Sequence, residues 1–245
     1  MFEGFTLSAY LFPLYVVGHL SIFCWALYLV KVHKAPGAWL VAMIAAGLVY
    51  DNLIISLGYT IGIGPLLQDL SWPRFAMHAV LTPFMMIAVT QMAAAGGIRW
   101  AETTQWRIFI WVLVVAMIAY GSLGHLIELK TVPACFDGIL RYTANLYPSH
   151  FCPEDIGGVQ EAVKGSGPPI PSIVGNIVTL IIGFSLWRHQ GWVWLMVGAL
   201  VMFGAASVPF RGFGMAPGNA GEVLLLFSYV ATVSRFGRFR KSAIA

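Results

Sequence analysis

What most constrains this chain is a series of seven apolar stretches, each about as long as a bilayer is thick. A hydrocarbon core of about 30 Å takes roughly 20 apolar residues in a helix. The stretches fall at about 8–31, 37–62, 73–96, 107–129, 170–187, 191–209 and 218–235. Between them lie Lys31 and Lys34, Gly64 and Pro65, the segment 99–107, Pro168 and Pro169, Gln190 and Gly191, and the segment 212–217. Backbone in lipid must satisfy its own hydrogen bonds, so each stretch is read as a helix. The expected fold is all-α: one polytopic membrane domain over residues 1–245 with seven spans. Trp72, Pro73 and Arg74 read as the start of the third, with proline in the first turn and an interfacial aromatic.

Composition closes off the alternatives. Of 245 residues 59% are hydrophobic and 10% charged, against roughly 25% charged in soluble domains. Soluble enzymes, nucleic-acid binders, coiled coils and disordered chains are excluded. The net charge of +4 is no nucleic-acid signal, because basic residues of membrane proteins gather in cytoplasmic loops. Residues 1–6 hold Glu3 and no Lys or Arg, and the apolar run after them is too long for a signal h-region. It reads as the first span.

Basic residues set the orientation. With the N-terminus outside and the C-terminus cytoplasmic, nine of the fourteen face inward: Lys31, Lys34, Arg99, Arg107, Arg188, Arg235, Arg238, Arg240 and Lys241. The membrane is then a plasma, inner or ER-type one. The outer loop 130–169 carries Cys135 and Cys152, 17 residues apart. On a non-cytoplasmic face they are expected to pair; a metal site is the alternative, without CxxC spacing to favour it. Cys24 reads as a small buried apolar residue.

Ionisable groups in hydrocarbon are functional candidates because burying them is expensive. Here they are His19, Asp51 beside Asn52 and Tyr50, His78, His125 with Glu128, and Glu222; Asn176 adds an amide. All but His19 fall between the midplane and the outer rim, which suggests one polar pocket opening outward. Each has a plainer reading. Glu128 can mark a helix end, His125 and Glu128 at i, i+3 can chelate metal or simply hydrogen-bond, and Glu222 can be a first-turn dipole residue after Gly218 to Gly221. His19 reads as a satisfied core histidine. Asp51 resists such readings, since a midplane carboxyl must be neutral or paired.

Absences narrow the chemistry. The last span has no lysine for a retinal Schiff base, and no late histidine pair for a seven-helix zinc hydrolase. Histidine boxes for a di-iron centre are missing, and a haem between His78 and His125 stays a minor possibility. No metal or cofactor is expected. What remains is carboxylic acid in an apolar cavity lined by aromatic and small residues, able to protonate an olefin or epoxide while aromatic faces steady the cation.

Lys31 to Lys34 followed by Asp51 within 48–54, Gly121 to Leu126, and Glu222 early in the last span form a pattern. It resembles the seven-helix transmembrane terpene cyclases of meroterpenoid and indole-diterpene pathways. The resemblance implies a bilayer-dissolved isoprenoid or lipid substrate and an acid-initiated cyclisation or isomerisation. Asp51 would be proton donor and Glu222 its partner or a second acid, and Asp51→Asn would abolish product while leaving folding intact. Asn52, His78, His125, Glu128, Asn176 and Tyr50 would line the pocket. The pattern departs from the family in having Asp on the second span, Glu on the last, and the cysteine-bearing loop. Two other classes stay open. An accessory subunit contacting pigment, quinone or lipid would co-purify with other membrane subunits in fixed ratio. A proton or small-solute transporter would use Asp51 and Glu222, but the inner half lacks a polar path and no inverted repeat is evident.

Overall fold

The computed structural model describes residues 7–127, 129–136, 139–144, 169–208 and 216–237, and most of them are helical. In chain order the elements are α1 (Leu7–Tyr28, continued by a π-helical turn Leu29–His33), α2 (Ala38–Ile61), α3 (Pro65–Val80), α4 (Phe84–Ala95) and α5 (Arg99–Glu102). Then come α6 (Thr104–Gly121, with a π-helical turn Ser122–Leu126), β1 (Val132–Phe136), β2 (Ile139–Thr143), α7 (Ile170–Gln190), α8 (Trp194–Ala206) and α9 (Ala216–Gly237).

Chain ends of these helices follow local chemistry. Lys34 and Gly37 adopt positive φ and close the first turn. Pro65 opens α3 at a position where its missing N–H is no loss. Thr103 accepts a hydrogen bond from the Trp106 backbone N–H at 3.3 Å and so caps α6. Gly191 ends α7 at φ 67°, returning its N–H to Trp187.

Among the described residues four helices are long and apolar enough to cross a membrane, and a fifth is formed if α3 and α4, bent by 44° at their break, count as one span. The expected third span therefore starts earlier than Pro73. Trp72, Pro73 and Arg74 lie inside α3, not at its start. Gln68, Asp69 and Ser71 had lowered the apparent hydrophobicity of its first two turns.

The main core lies between α1, α2, α4, α7, α8 and α9, with Leu29, Val41, Ala45, Met86, Ile182, Leu195 and Tyr229 buried in it. Large apolar side chains such as Trp39, Trp111, Phe184 and Trp194 point outward, as an apolar surrounding solvent permits. Cys24 is among the exposed positions rather than buried; a thiol is apolar enough for a lipid-facing helix side. Close helix approach depends on small residues. At Gly183 a Cβ would sit 2.6 Å from the Met196 backbone nitrogen. Backbone cannot retreat as a side chain can, so Gly183→Val is expected to destabilise the protein by about 1–3 kcal/mol, seen as a lower thermal midpoint in detergent.

The segment expected as plain loop contains an antiparallel hairpin, so the fold is not purely helical. Its register pairs Cys135 with Leu140 and Val132 with Thr143. Val, Phe, Ile, Tyr and Thr favour strands, and every residue of β2 is buried. Cys135, Leu140 and Tyr142 form a small core with Ile54 and Leu67. Gly58 on α2 leaves room for the Leu140 carbonyl, which any Cβ there would overlap. The Tyr59 hydroxyl lies 3.7 Å from the Cys135 sulfur; Cys152, the expected disulfide partner, is outside the described residues.

Candidate functional site

Three helices bring their polar residues to one place through i, i+3, i+4 spacing. Ile44, Gly47, Leu48 and Asp51 form one stripe of α2. Arg74, Met77 and His78 form one of α3, continued by Leu81 just past its end, and Glu222, Leu225 and Leu226 form one of α9. Together with Thr82, Met85, Ser172, Asn176 and Met202 they line a cavity of about 70 Å³. At roughly 13 Å³ per water this equals about five water molecules, enough for the end of a larger molecule. The break between α3 and α4 forms part of its wall. An aromatic lining was expected; the side chains found are aliphatic, with three methionines and the His78 ring. Trp39, Trp111, Phe184 and Trp194 sit on the outer faces instead, while Phe12 and Tyr229 are buried away from the cavity lining.

Asp51 is 3% exposed and accepts a hydrogen bond from Arg74 Nε at 2.7 Å. His78 Nε2 lies 3.8 Å from the same carboxylate oxygen, with its side chain 40% exposed. Arg74 and His78 are four residues apart, so both reach Asp51 from one face of α3. The Arg74 guanidinium also lies 5.8 Å from the Phe75 ring centroid. Arg74, expected at the start of a span beside an interfacial tryptophan, is 5% exposed and is the partner that a buried Asp51 requires.

Glu222 faces the same cavity with Oε2 buried and without a hydrogen-bond partner among the described residues. It is the seventh residue of α9, beyond the first turn, so the dipole explanation does not apply. Asn219, one turn earlier, donates to Asn52 Oδ1 at 3.1 Å. Asn52 thus ties α2 to α9 beside the cavity rather than lining it. Tyr50 likewise turns away, donating to the Leu70 carbonyl at 2.9 Å. Asn176 does line the cavity, its amide nitrogen bonded to the Ala199 carbonyl at 3.1 Å.

His125 lies in the π-helical turn after α6, and its side chain is outside what is described; Glu128 is outside the described residues altogether. His19 is fully buried, but neither ring nitrogen has a hydrogen-bond partner among the described residues, so it is a core histidine without the expected satisfaction. Among the described residues no three His, Cys, Asp or Glu side chains gather as a metal site would need.

Sequence reasoning missed Arg74 and Asn219. The signal for Arg74 was present: an arginine and a histidine at i, i+4 on an apolar helix, with one unpaired acid on the span before. Asn219 offered only an amide among glycines. The arrangement supplies one ion-paired carboxylate, one carboxyl group whose Oε2 has no hydrogen-bond partner among the described residues, and one partly exposed imidazole around an apolar hollow. No family model, curated protein or solved structure matches this chain.

Proposed function

We propose that this chain is an integral membrane enzyme acting on a bilayer-dissolved isoprenoid or lipid by acid-initiated cyclisation or isomerisation. The observation that carries the reading is the pairing of unlike carboxyls: Glu222 and Asp51 face one cavity, the first without a cation at hydrogen-bond distance among the described residues, the second held by Arg74. Environments that separate two carboxyls in this way divide acid from base.

In this reading Glu222 carries the proton and Asp51 is the fixed anion. Glu222 gives its proton to an olefin carbon or an epoxide oxygen at the end of the substrate. The cation left at the more substituted carbon is attacked by a second double bond of the same chain. The last cation loses a proton to the carboxylate that began the sequence, so the product is an isomer of the substrate. Met77, Met85 and Met202 provide polarisable sulfur around the cation. The rest of the substrate extends past His78, the exposed edge of the site.

Topology belongs to the same proposal. Seven crossings are completed by α8 and α9, with the N-terminus outside, the C-terminal basic run inside, and a Cys135–Cys152 bond fastening the outer loop to the hairpin. That orientation puts the site in the outer half of the bilayer.

The test is turnover in proteoliposomes loaded with polyprenyl olefins and epoxides and prepared in D₂O. The expected result is a product of unchanged carbon skeleton mass that carries one non-exchangeable deuterium per initiation event. Product without deuterium would remove acid initiation. No product, together with fixed-ratio co-purification of other membrane subunits, would favour an accessory role.

A further inference from the structure

Arg74 Nη1, Asn176 Oδ1 and Glu222 Oε2 are buried, line or belong to residues lining the same cavity, and have no hydrogen-bond partner among the described residues. Arg74 and Asn176 are 5% and 4% exposed. Buried polar atoms are nearly always satisfied in a working state, by protein, water or ligand. Their polarities differ. Arg74 Nη1 can only donate, and its Nε is already engaged by Asp51. Asn176 has its amide nitrogen on the Ala199 carbonyl, so the free oxygen can only accept.

We infer that the cavity binds the hydroxyl end of a neutral lipid alcohol. A hydroxyl both accepts and donates, so one group has the chemistry to answer a donor such as Arg74 Nη1 and an acceptor such as Asn176 Oδ1. An ether, epoxide or ketone accepts without donating, and an olefin does neither. A phosphate or diphosphate brings at least one negative charge into a cavity whose described lining holds two carboxyl side chains and one arginine, already paired. Binding such a group takes several free cations. The volume of about 70 Å³ suits a hydroxyl with the few carbons next to it, and leaves the chain outside. The inference rests on this cavity being the substrate site of the proposed enzyme, but concerns binding and not turnover.

Purified protein in nanodiscs, incubated with a prenyl alcohol, its methyl ether, the parent hydrocarbon and its diphosphate, tests it by native mass spectrometry or equilibrium retention. The alcohol is expected to bind roughly tenfold more tightly than each of the others, the worth of one or two well-placed hydrogen bonds. Asn176→Leu is expected to abolish that preference. Because Asn176 also joins α7 to α8, Arg74→Lys is the second variant: it keeps a charge for Asp51 but lacks the second donor arm, and should narrow the preference. Equal binding of alcohol, ether and hydrocarbon, as expected where water alone fills the cavity, overturns the inference. Alcohol preference without any product upholds it while removing the enzymatic reading. Turnover of a hydrocarbon that binds as well as the alcohol does the reverse.

Discussion

Arg74→Met is expected to lower stability by about 3–5 kcal/mol, because it leaves a buried carboxylate without its cation. Asp51 is 3% exposed, and a second basic neighbour, His78, stands 3.8 Å away at a partly open position. The imidazole cannot take over a 2.7 Å hydrogen bond from the guanidinium without moving α3. The double variant Arg74→Met/Asp51→Leu removes both charges and is expected to recover most of the loss, since apolar replacements of buried pairs are often neutral or better. Unfolding midpoints of the two single variants and the double variant in detergent give the coupling directly. A single-variant loss below about 1 kcal/mol, the level of surface pairs, would mean that water reaches the pair. The same geometry overturns one expectation drawn from the sequence. Asp51→Asn should not leave folding untouched, because it strips the compensating charge from a buried arginine.

Glu222→Gln is therefore the cleaner probe of chemistry. The amide keeps the shape and a hydrogen-bonding capacity, takes no ion-pair partner away, and cannot deliver a proton. Product formation is expected to fall by roughly 10²–10⁴-fold, the range of general-acid contributions, with substrate binding and thermal midpoint little changed. Glu222→Asp keeps the acid but draws it back by one methylene, and misplacement of about 1 Å is expected to remove roughly 10²-fold of rate. Full turnover by the Gln variant would eliminate Glu222 as proton source. Activity should be measured in the same reconstituted preparation used for binding, so that loss of ligand and loss of chemistry are separated.

The helices were legible because hydrophobic length is a strong signal: 37–62 and 218–235 reappear as Ala38–Ile61 and Ala216–Gly237 with shifts of a residue or two. Where the reading slipped, local polarity misled it. Gln68, Asp69 and Pro73 suggested a loop ending at Trp72, yet the chain is helical from Pro65. That error moved Arg74 from the interior to the rim and hid the ion pair. The hairpin was hidden for another reason. Ten strand-forming residues beside a long polar loop carry little pattern of their own, and their burial comes from Gly58 and the α2 surface. The convergence of Asp51, His78 and Glu222 on one cavity was expected from depth, whereas Asn176 entered only as an added amide. The His125 side chain and Glu128, expected beside them, fall outside what is described. The placements of Tyr50 and Asn52 were not expected, because depth does not tell which side of a helix faces a neighbour.

The 44° bend between α3 and α4 has an evolutionary consequence. Arg74 and His78 are on one side of it; Met86, Val89 and Met92, locked in the interior, are on the other. A straight rod would turn as one piece, so every change near the acid would disturb the interior. The interruption makes the two halves separately adjustable. Descendants of this chain are free to change the cavity wall at Arg74 and His78 on α3 while keeping the packing of Met86, Val89 and Met92 on α4.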